Sequence, residues 1–388
     1  MSAPVVLVPG GLGGTGGLSI DVRNLAQGLS ERGREVVVAG ADPGDPALSS
    51  LRGVVLEPLR PFGPRKAAAV FGVQPGLRRR IRSHPGALVH AFGCMPSYLT
   101  LAALLGGRAE RVPVVWTPMF HPLRARVWNR RLAYRPMRVF DAVAPRLSVL
   151  ASAVGVATDA EAAVFGRAGA RRVTFLPPVV EAAPVLTEAD ARSFRAAAGV
   201  GDAPLIVVVA SRDEPRKGLD FALASFLRLR EGMGDARLVV VGLGESRRPL
   251  PEGAVSLGRV DAATLEQALR AGDVVFVPSL FEAFSRVVIE AWQQASPVVV
   301  SDGVALAPTV AAEAAGSVVP YGDPAAAAVG LSALLKDRDR AVACGDRGRA
   351  IVEERYELGV LLDAVEALYE QVERGLAHGR AASRAVAS

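Results

Sequence analysis

The stretch from Asp273 to Asp302, DVVFVPSLFEAFSRVVIEAWQQASPVVVSD, constrains the fold more than any other part of the chain. Asp273 to Pro278 is a short β-branched run, the pattern of a parallel strand buried on both faces. Apolar residues then recur at helical spacing from about Phe284 to Gln294, and Ser296-Pro297 stops that helix before a second strand, Val298 to Ser301. Strand, acidic loop, helix and strand in this order predict an α/β protein.

The loop carries Glu282 and the helix carries Glu290, at most about 12 Å of helical rise apart. That is the scale of a sugar ring and a ribose held either side of a diphosphate, and a carboxylate accepts hydrogen bonds from vicinal hydroxyls. Between the two, the helix N-terminus presents the amides of Ala283, Phe284 and Ser285, and the positive end of its dipole, to an anion. The same spacing also arises when a loop carboxylate caps a helix and a second one lies on its solvated face.

The residues around these carboxylates resemble the donor-site signature of the retaining GT-B glycosyltransferases of glycosyltransferase family 4, the group 1 glycosyltransferases. Pro278, Ser279, Glu282, Phe284, Glu290, Ala291, Pro297, Val298 and Val299 match its pattern, whereas Ser285 stands where the family usually has Gly. The resemblance implies that Glu282 contacts the transferred sugar, that Glu290 contacts the nucleotide ribose, and that anomeric configuration is retained. It also implies two Rossmann-like doubly wound domains facing a central cleft, with a C-terminal helix crossing back to the first. The expected boundaries are 1–180 for an acceptor-binding domain, 181–360 for a donor-binding domain, and 361–388 for the returning helix and its tail.

A length of 388 residues suffices for two such cores, and a hydrophobic content of 50% with only 5% aromatics suits a large α/β protein. Met1 to Gly10 lacks a charged leader and no apolar run is long enough to span a bilayer, so a cytoplasmic protein is expected. Cys94 and Cys344 stand far apart without metal spacing, which argues against a disulfide framework or a zinc site. The net charge of +6 comes from an arginine bias, the lysines being Lys66, Lys217 and Lys336 alone. No aromatic–basic interleaving accompanies it, so no nucleic-acid partner is expected.

At the other end of the chain, the strand from Val5 to Pro9 runs into the glycine-rich stretch Gly10 to Gly17 and then into a helix faced by Leu18, Val22, Leu25, Ala26 and Leu29. Glycines here let backbone amides approach an anion at a helix N-terminus. Gly11, Gly13 and Gly16, with Asp42 beyond the next strand, also spell a dinucleotide-binding pattern, so an NAD-dependent oxidoreductase stays open. In the resembling family Gly16 and Gly17 meet the donor phosphate. Strands continue at Val54 to Glu57, Ala87 to Phe92, Pro113 to Thr117 and Arg172 to Leu176. His90, at the end of one of them, reads as structural. His121, two residues beyond the family's histidine position at Met119, is a candidate contact to donor or acceptor.

Glu181 to Arg195 joins the halves. After the strand Leu205 to Ala210, Arg212 and Lys217 lie on one loop, where two cations would neutralise a diphosphate leaving group. The family has an Arg and a Lys at these places, and Val260 falls where it reads the nucleobase through the backbone. Helices close the chain at Pro324 to Leu335, Arg338 to Glu354 and Leu358 to Glu373, before a tail, Ala381 to Ser388, expected to be disordered. The one Asp-x-Asp, Asp337-Arg338-Asp339, lies on a late helix, so no metal and no cofactor are expected, the nucleotide sugar being a substrate. The predicted activity is transfer from a nucleotide sugar, a UDP-sugar first, to a small-molecule or glycolipid acceptor such as a bacterial natural product or envelope glycoconjugate. A nucleotide-sugar epimerase and a silent binder are the other readings. The arginines of Arg65 to Arg82 and Arg124 to Arg138 suit either solvated helix faces or peripheral contact with the inner membrane face.

Overall fold

The computed structural model describes residues 3–9, 17–40, 51–59, 75–93, 98–120, 141–210, 215–244 and 249–387. The chain forms two compact units, Met1–Val179 with Leu358–Ser388, and Val180–Glu357. In the first, the described elements are β1 (Val5–Val8), α1 (Gly17–Glu31), β2 (Val36–Ala39), β3 (Val54–Glu57), α2 (Pro75–Ser83), β4 (Leu88–Phe92), α3 (Tyr98–Glu110), β5 (Val114–Thr117), β6 (Ala153–Val156), α4 (Asp159–Arg167) and β7 (Val173–Phe175). The second contains α5 (Glu188–Ala197), β8 (Leu205–Val209), α6 (Leu219–Arg230), β9 (Arg237–Val241), β10 (Ala254–Gly258), α7 (Ala262–Ala271) and β11 (Val274–Val277). It continues with α8 (Arg286–Gln293), β12 (Val298–Ser301), α9 (Ala307–Ala312), β13 (Gly316–Val319), α10 (Pro324–Lys336) and α11 (Arg338–Arg355), after which α12 (Leu358–Ala387) returns to the first unit.

Both sheets are parallel, in the orders β3-β2-β1-β4-β5-β6-β7 and β10-β9-β8-β11-β12-β13. Each grows outward in two directions from its first strand, the doubly wound arrangement whose ligand crevice opens at the carboxyl ends of the two strands flanking the reversal. Those strands are β1 and β4 in one sheet, β8 and β11 in the other. The β-branched runs form the central strands because both faces are covered: every residue of β1, β2, β11 and β12 is buried. In the second sheet Val275 lies between Val207 of β8 and Val298 of β12.

The returning helix α12 carries Leu361, Leu362, Val365, Leu368, Tyr369 and Val372, spaced to form one apolar stripe. They pack on Val22, Leu25, Ala26 and Leu29 of α1. Arg32 flanks this contact with ion pairs to Asp363 at 2.6 Å and Glu366 at 2.7 Å, and Arg34 pairs with Glu373. His90 is a core residue here, as its position suggests. One ring nitrogen lies 2.6 Å from the Tyr369 hydroxyl, the other 2.8 Å from the Thr117 hydroxyl, and burial lowers its pKa to about 3.

Several elements depart from the sequence expectation. The helix α12 runs to Ala387, through the tail for which no structure is expected, because that tail is rich in alanine, the strongest helix former. The linking segment contains α5, closed at its start by a capping box in which Thr187 and Asp190 satisfy each other's backbone amides. It is anchored to its own unit: Leu186 N–H donates to Gln294 Oε1 at 2.9 Å, Arg349 donates to the Ala183 carbonyl at 2.8 Å, and Gln293 donates to the Glu181 carbonyl. The edge strand β13, unnamed in the sequence reading, is only partly buried and follows a helix too short to show a period. The signature helix starts at Arg286 rather than Phe284, because Ser285 takes φ 85° and ψ 90°, outside the helical region.

Candidate functional site

In the second unit the loops leaving β8 and β11 are pressed together. Gly218, at the start of α6, has φ 69°, and a Cβ there would lie 1.8 Å from the Pro278 carbonyl oxygen. Only glycine fits that approach. The Leu280 N–H donates to the Arg216 carbonyl at 2.9 Å, so the two loops share a backbone hydrogen bond. On the other side the acidic loop leans on the end of β12. A Cβ at Gly303 would lie 2.1 Å from the Leu280 oxygen, the Glu282 N–H donates to the Gly303 carbonyl at 3.2 Å, and the Ala305 N–H donates to the Glu282 carbonyl at 3.0 Å.

This backbone framework aims Glu282 at the 3-10 turn Pro215–Lys217. Lys217 Nζ lies 2.6 Å from Oε1, the Ser279 hydroxyl donates to the same oxygen at 3.0 Å, and Arg216 Nη1 lies 3.0 Å from Oε2. Burial pushes the Glu282 carboxyl up, but the Lys217 ammonium and the Arg216 guanidinium outweigh it and hold the group below the usual carboxylate range. The site is therefore an ionised carboxylate between two cations. Glu290, on α8, lies 3.4 Å from Arg286 one turn earlier. Burial raises its pKa and the Glu266 charge adds to that, against Arg286 and Lys217. The Lys217 charge thus acts on both carboxylates, by direct contact at Glu282 and at longer range at Glu290.

Lys217 and Glu282, on separate loops in the sequence, are in direct contact, and the Lys217 charge also acts on Glu290. Phe284 is buried against Tyr356, ring centroids 5.5 Å apart. Ala283 is half-buried, and Ser285 is buried at the head of α8. Val260 lies just beyond β10, half-buried, before Asp261 caps α7 through the Thr264 amide at 2.8 Å. Gly17 opens α1 in the other unit. Arg212, His121, Gly16, Gly11, Gly13, Asp42 and Cys94 lie outside the described residues. Two participants escaped the sequence reading. Arg216 was hidden as the neighbour of a matched lysine, and Gly303 shows its role only through its distance to Leu280.

In the first unit the buried Glu161 carboxylate accepts the Phe120 amide at 2.6 Å and the Ala157 amide at 2.7 Å, tying the ends of β5 and β6. Burial raises its pKa to about 7 against those two donors. Three arginines of α2 face carboxylates: Arg78 lies 2.5 Å and Arg82 2.8 Å from Glu110, and Arg80 3.5 Å from Glu57. Among the described residues no helix is long and apolar enough to cross a membrane, and no three His, Cys, Asp or Glu gather as for a metal ion. Asp337 of the Asp-x-Asp caps α11 through the Arg340 amide at 3.0 Å.

Comparison with known proteins agrees with this architecture. A family model described as "Glycosyl transferases group 1" matches residues 203–337, and one described as "Glycosyltransferase Family 4" matches residues 15–183. The phosphatidyl-myo-inositol mannosyltransferase of Mycobacterium leprae is 36% identical over 170 residues, 41% of this chain and 44% of that protein, so this match spans less than half of the relative. The D-inositol 3-phosphate glycosyltransferase of Stackebrandtia nassauensis is 30% identical over 367 residues, 85% of this chain and 81% of that protein. Among solved structures, the sucrose-phosphate synthase of Thermosynechococcus elongatus has a TM-score of 0.76 at 21% identity, covering 96% of this chain and 100% of that one. The chain belongs to glycosyltransferase family 4, the group 1 glycosyltransferases, a family of transferase enzymes with the GT-B fold.

Proposed function

We propose that the protein transfers a sugar from a nucleoside diphosphate donor, a UDP-sugar first, to an acceptor hydroxyl with retention of configuration and without a metal ion. The observation that carries this reading is the contact of Lys217 and Arg216 with Glu282 at the carboxyl ends of β8 and β11. Cations at a doubly wound reversal suit a diphosphate, on which charge grows as the glycosidic bond to phosphate breaks. Lys217, with Arg212 on the same loop, would neutralise that charge. Glu282 would accept hydroxyls of the transferred sugar and Glu290 those of the ribose, with Val260 beside the base and the Ala283, Phe284 and Ser285 amides facing the phosphates. The departing phosphate would take the acceptor proton, and Gly16, Gly17 and His121 would be further contacts of donor or acceptor.

The relatives named for inositol acceptors make inositol phosphates and phosphatidylinositol the first acceptors to assay, within the wider class of envelope glycoconjugates and natural products. For a lipid acceptor the protein would dock peripherally at the inner membrane face, which sedimentation with anionic and neutral vesicles checks. The deciding experiment is calorimetry and thermal shift with UDP, GDP, dTDP and NAD in EDTA. Wild type is expected to bind one nucleoside diphosphate, and Glu290→Ala and Arg212→Ala to weaken it. Binding of NAD alone, indifferent to both substitutions, would overturn the proposal.

A further inference from the structure

Glu282 holds two cations, and the proposed function, on which this inference rests, asks one of them to leave. Lys217 cannot give its full charge to a diphosphate while its ammonium sits 2.6 Å from Glu282 Oε1. Glu282 is only 9% exposed, and a buried carboxylate stripped of its partner is strongly disfavoured. The two cations are mounted differently. Lys217 carries a compact ammonium on a flexible stem. Arg216 is bound to three successive residues of the acidic loop: its carbonyl accepts the Leu280 amide at 2.9 Å, its Nη1 donates to the Phe281 carbonyl at 3.1 Å, and the same nitrogen lies 3.0 Å from Glu282 Oε2. Its guanidinium therefore stays with the loop when the neighbouring side chain moves.

We propose that Arg216 is the resident counter-ion of Glu282, remaining on Oε2 when Lys217 swings from Oε1 to the donor diphosphate, so that the carboxylate stays charged and in place for the sugar. Adjacent residues thus divide the work, Lys217 serving the ligand and Arg216 serving the carboxylate. After the exchange the Ser279 hydroxyl still donates to Oε1, and the lone pair that Lys217 vacates on that oxygen can accept from a sugar hydroxyl. The charges acting on Glu282 come from Lys217 and Arg216, while those acting on Glu290 of α8 come from Arg286 of the same helix, Glu266 of α7 and, again, Lys217. The end of β12 contributes backbone groups from Gly303 and Ala305. Arg216 is in this sense a positioning residue.

Proton counting reads this role directly. Calorimetry of UDP, GDP and dTDP binding, in buffers of differing ionisation enthalpy at about pH 6, gives the protons taken up per nucleotide bound. Arg216→Gln is expected to take up about one proton more than wild type, because Glu282, already without Arg216, loses Lys217, its remaining counter-ion, on binding. Arg216→Lys is expected to keep the wild-type count. An unchanged count in Arg216→Gln would overturn the exchange. A ligand-free titration covers the case in which Arg216→Gln does not fold. In Lys217→Ala, with Lys217 already gone, the 13C signal of the Glu282 carboxyl is expected to remain that of an ionised carboxylate at neutral pH, held so by Arg216, and a protonated carboxyl there would overturn the proposal. If wild type binds no nucleoside diphosphate, the donor reading fails, while the Lys217→Ala titration still decides whether Arg216 alone sustains the charge.

Discussion

At the scale of single residues, the site is a balance between a buried carboxylate and its cations. Replacing Lys217 by Ala removes one charge-assisted contact of the kind that contributes about 1.5 to 3 kcal/mol. The expected result is roughly a tenfold to hundredfold loss of nucleoside diphosphate affinity by calorimetry. Ser285 offers a separate test. It occupies φ 85° without a glycine's freedom, and its side chain makes no cap hydrogen bond to α8. Conformations of this kind cost on the order of 1 to 3 kcal/mol, part of which a glycine's extra freedom in the unfolded chain cancels. Ser285→Gly is therefore expected to raise stability by about 1 kcal/mol in urea unfolding; a destabilised variant would show that Ser285 makes a compensating contact. The family's usual glycine at this place finds its physical reason in that angle.

At the scale of elements, two ties can be broken separately. Glu161 joins the ends of β5 and β6 by accepting two amides while buried. Its folded pKa of about 7 lies above the ordinary value of 4.5. The folded state thus binds more protons than the unfolded state between these values, so this group's contribution is present at low pH and lost as pH rises through about 7. Urea unfolding of Glu161→Gln, followed from pH 4.5 to 7.5, is expected to fall less steeply with rising pH than that of wild type. Parallel profiles would refute this. The second tie is the stripe of α12 on α1. Leu368 is 1% exposed, and Leu368→Ala is expected to cost about 2 to 4 kcal/mol through lost burial and the cavity left behind, read as a lower unfolding midpoint.

At the scale of the whole molecule, the first unit is discontinuous in sequence and the second is not. Truncation before Leu358 removes the partner of α1 from the first unit and leaves the contacts of the second intact. Calorimetric melting of the truncated chain is expected to lose the transition of the first unit and keep that of Val180–Glu357. A single unchanged transition would contradict the division. If side-chain cations carry the countercharge as proposed, binding of a nucleoside diphosphate by the full chain is expected to be unchanged by EDTA; a requirement for a divalent ion would contradict the metal-free part of the proposal.

The sequence alone determined the alternation of β-branched runs with helical periods, and with it two parallel sheets, because burial on both faces writes a continuous apolar run into each strand. It also marked Lys217, Glu282 and Glu290 through charged residues at fixed spacings, and assigned His90 to the core. The partners of those charges were decided by tertiary structure. Lys217 meets Glu282 because β8 and β11, far apart in the chain, are neighbours at the reversal of the sheet. Arg216 becomes the second counter-ion because a shared backbone hydrogen bond turns its side chain onto the acidic loop. Gly218 and Gly303 owe their roles to carbonyls approached within 1.8 and 2.1 Å by where their Cβ atoms would be. Ser285, a mild departure from a motif when read as a letter, becomes a strained backbone once the loop closes on both neighbours. Spacing within one element is a local property and survives in sequence, whereas contact between elements depends on strand order and closest approach.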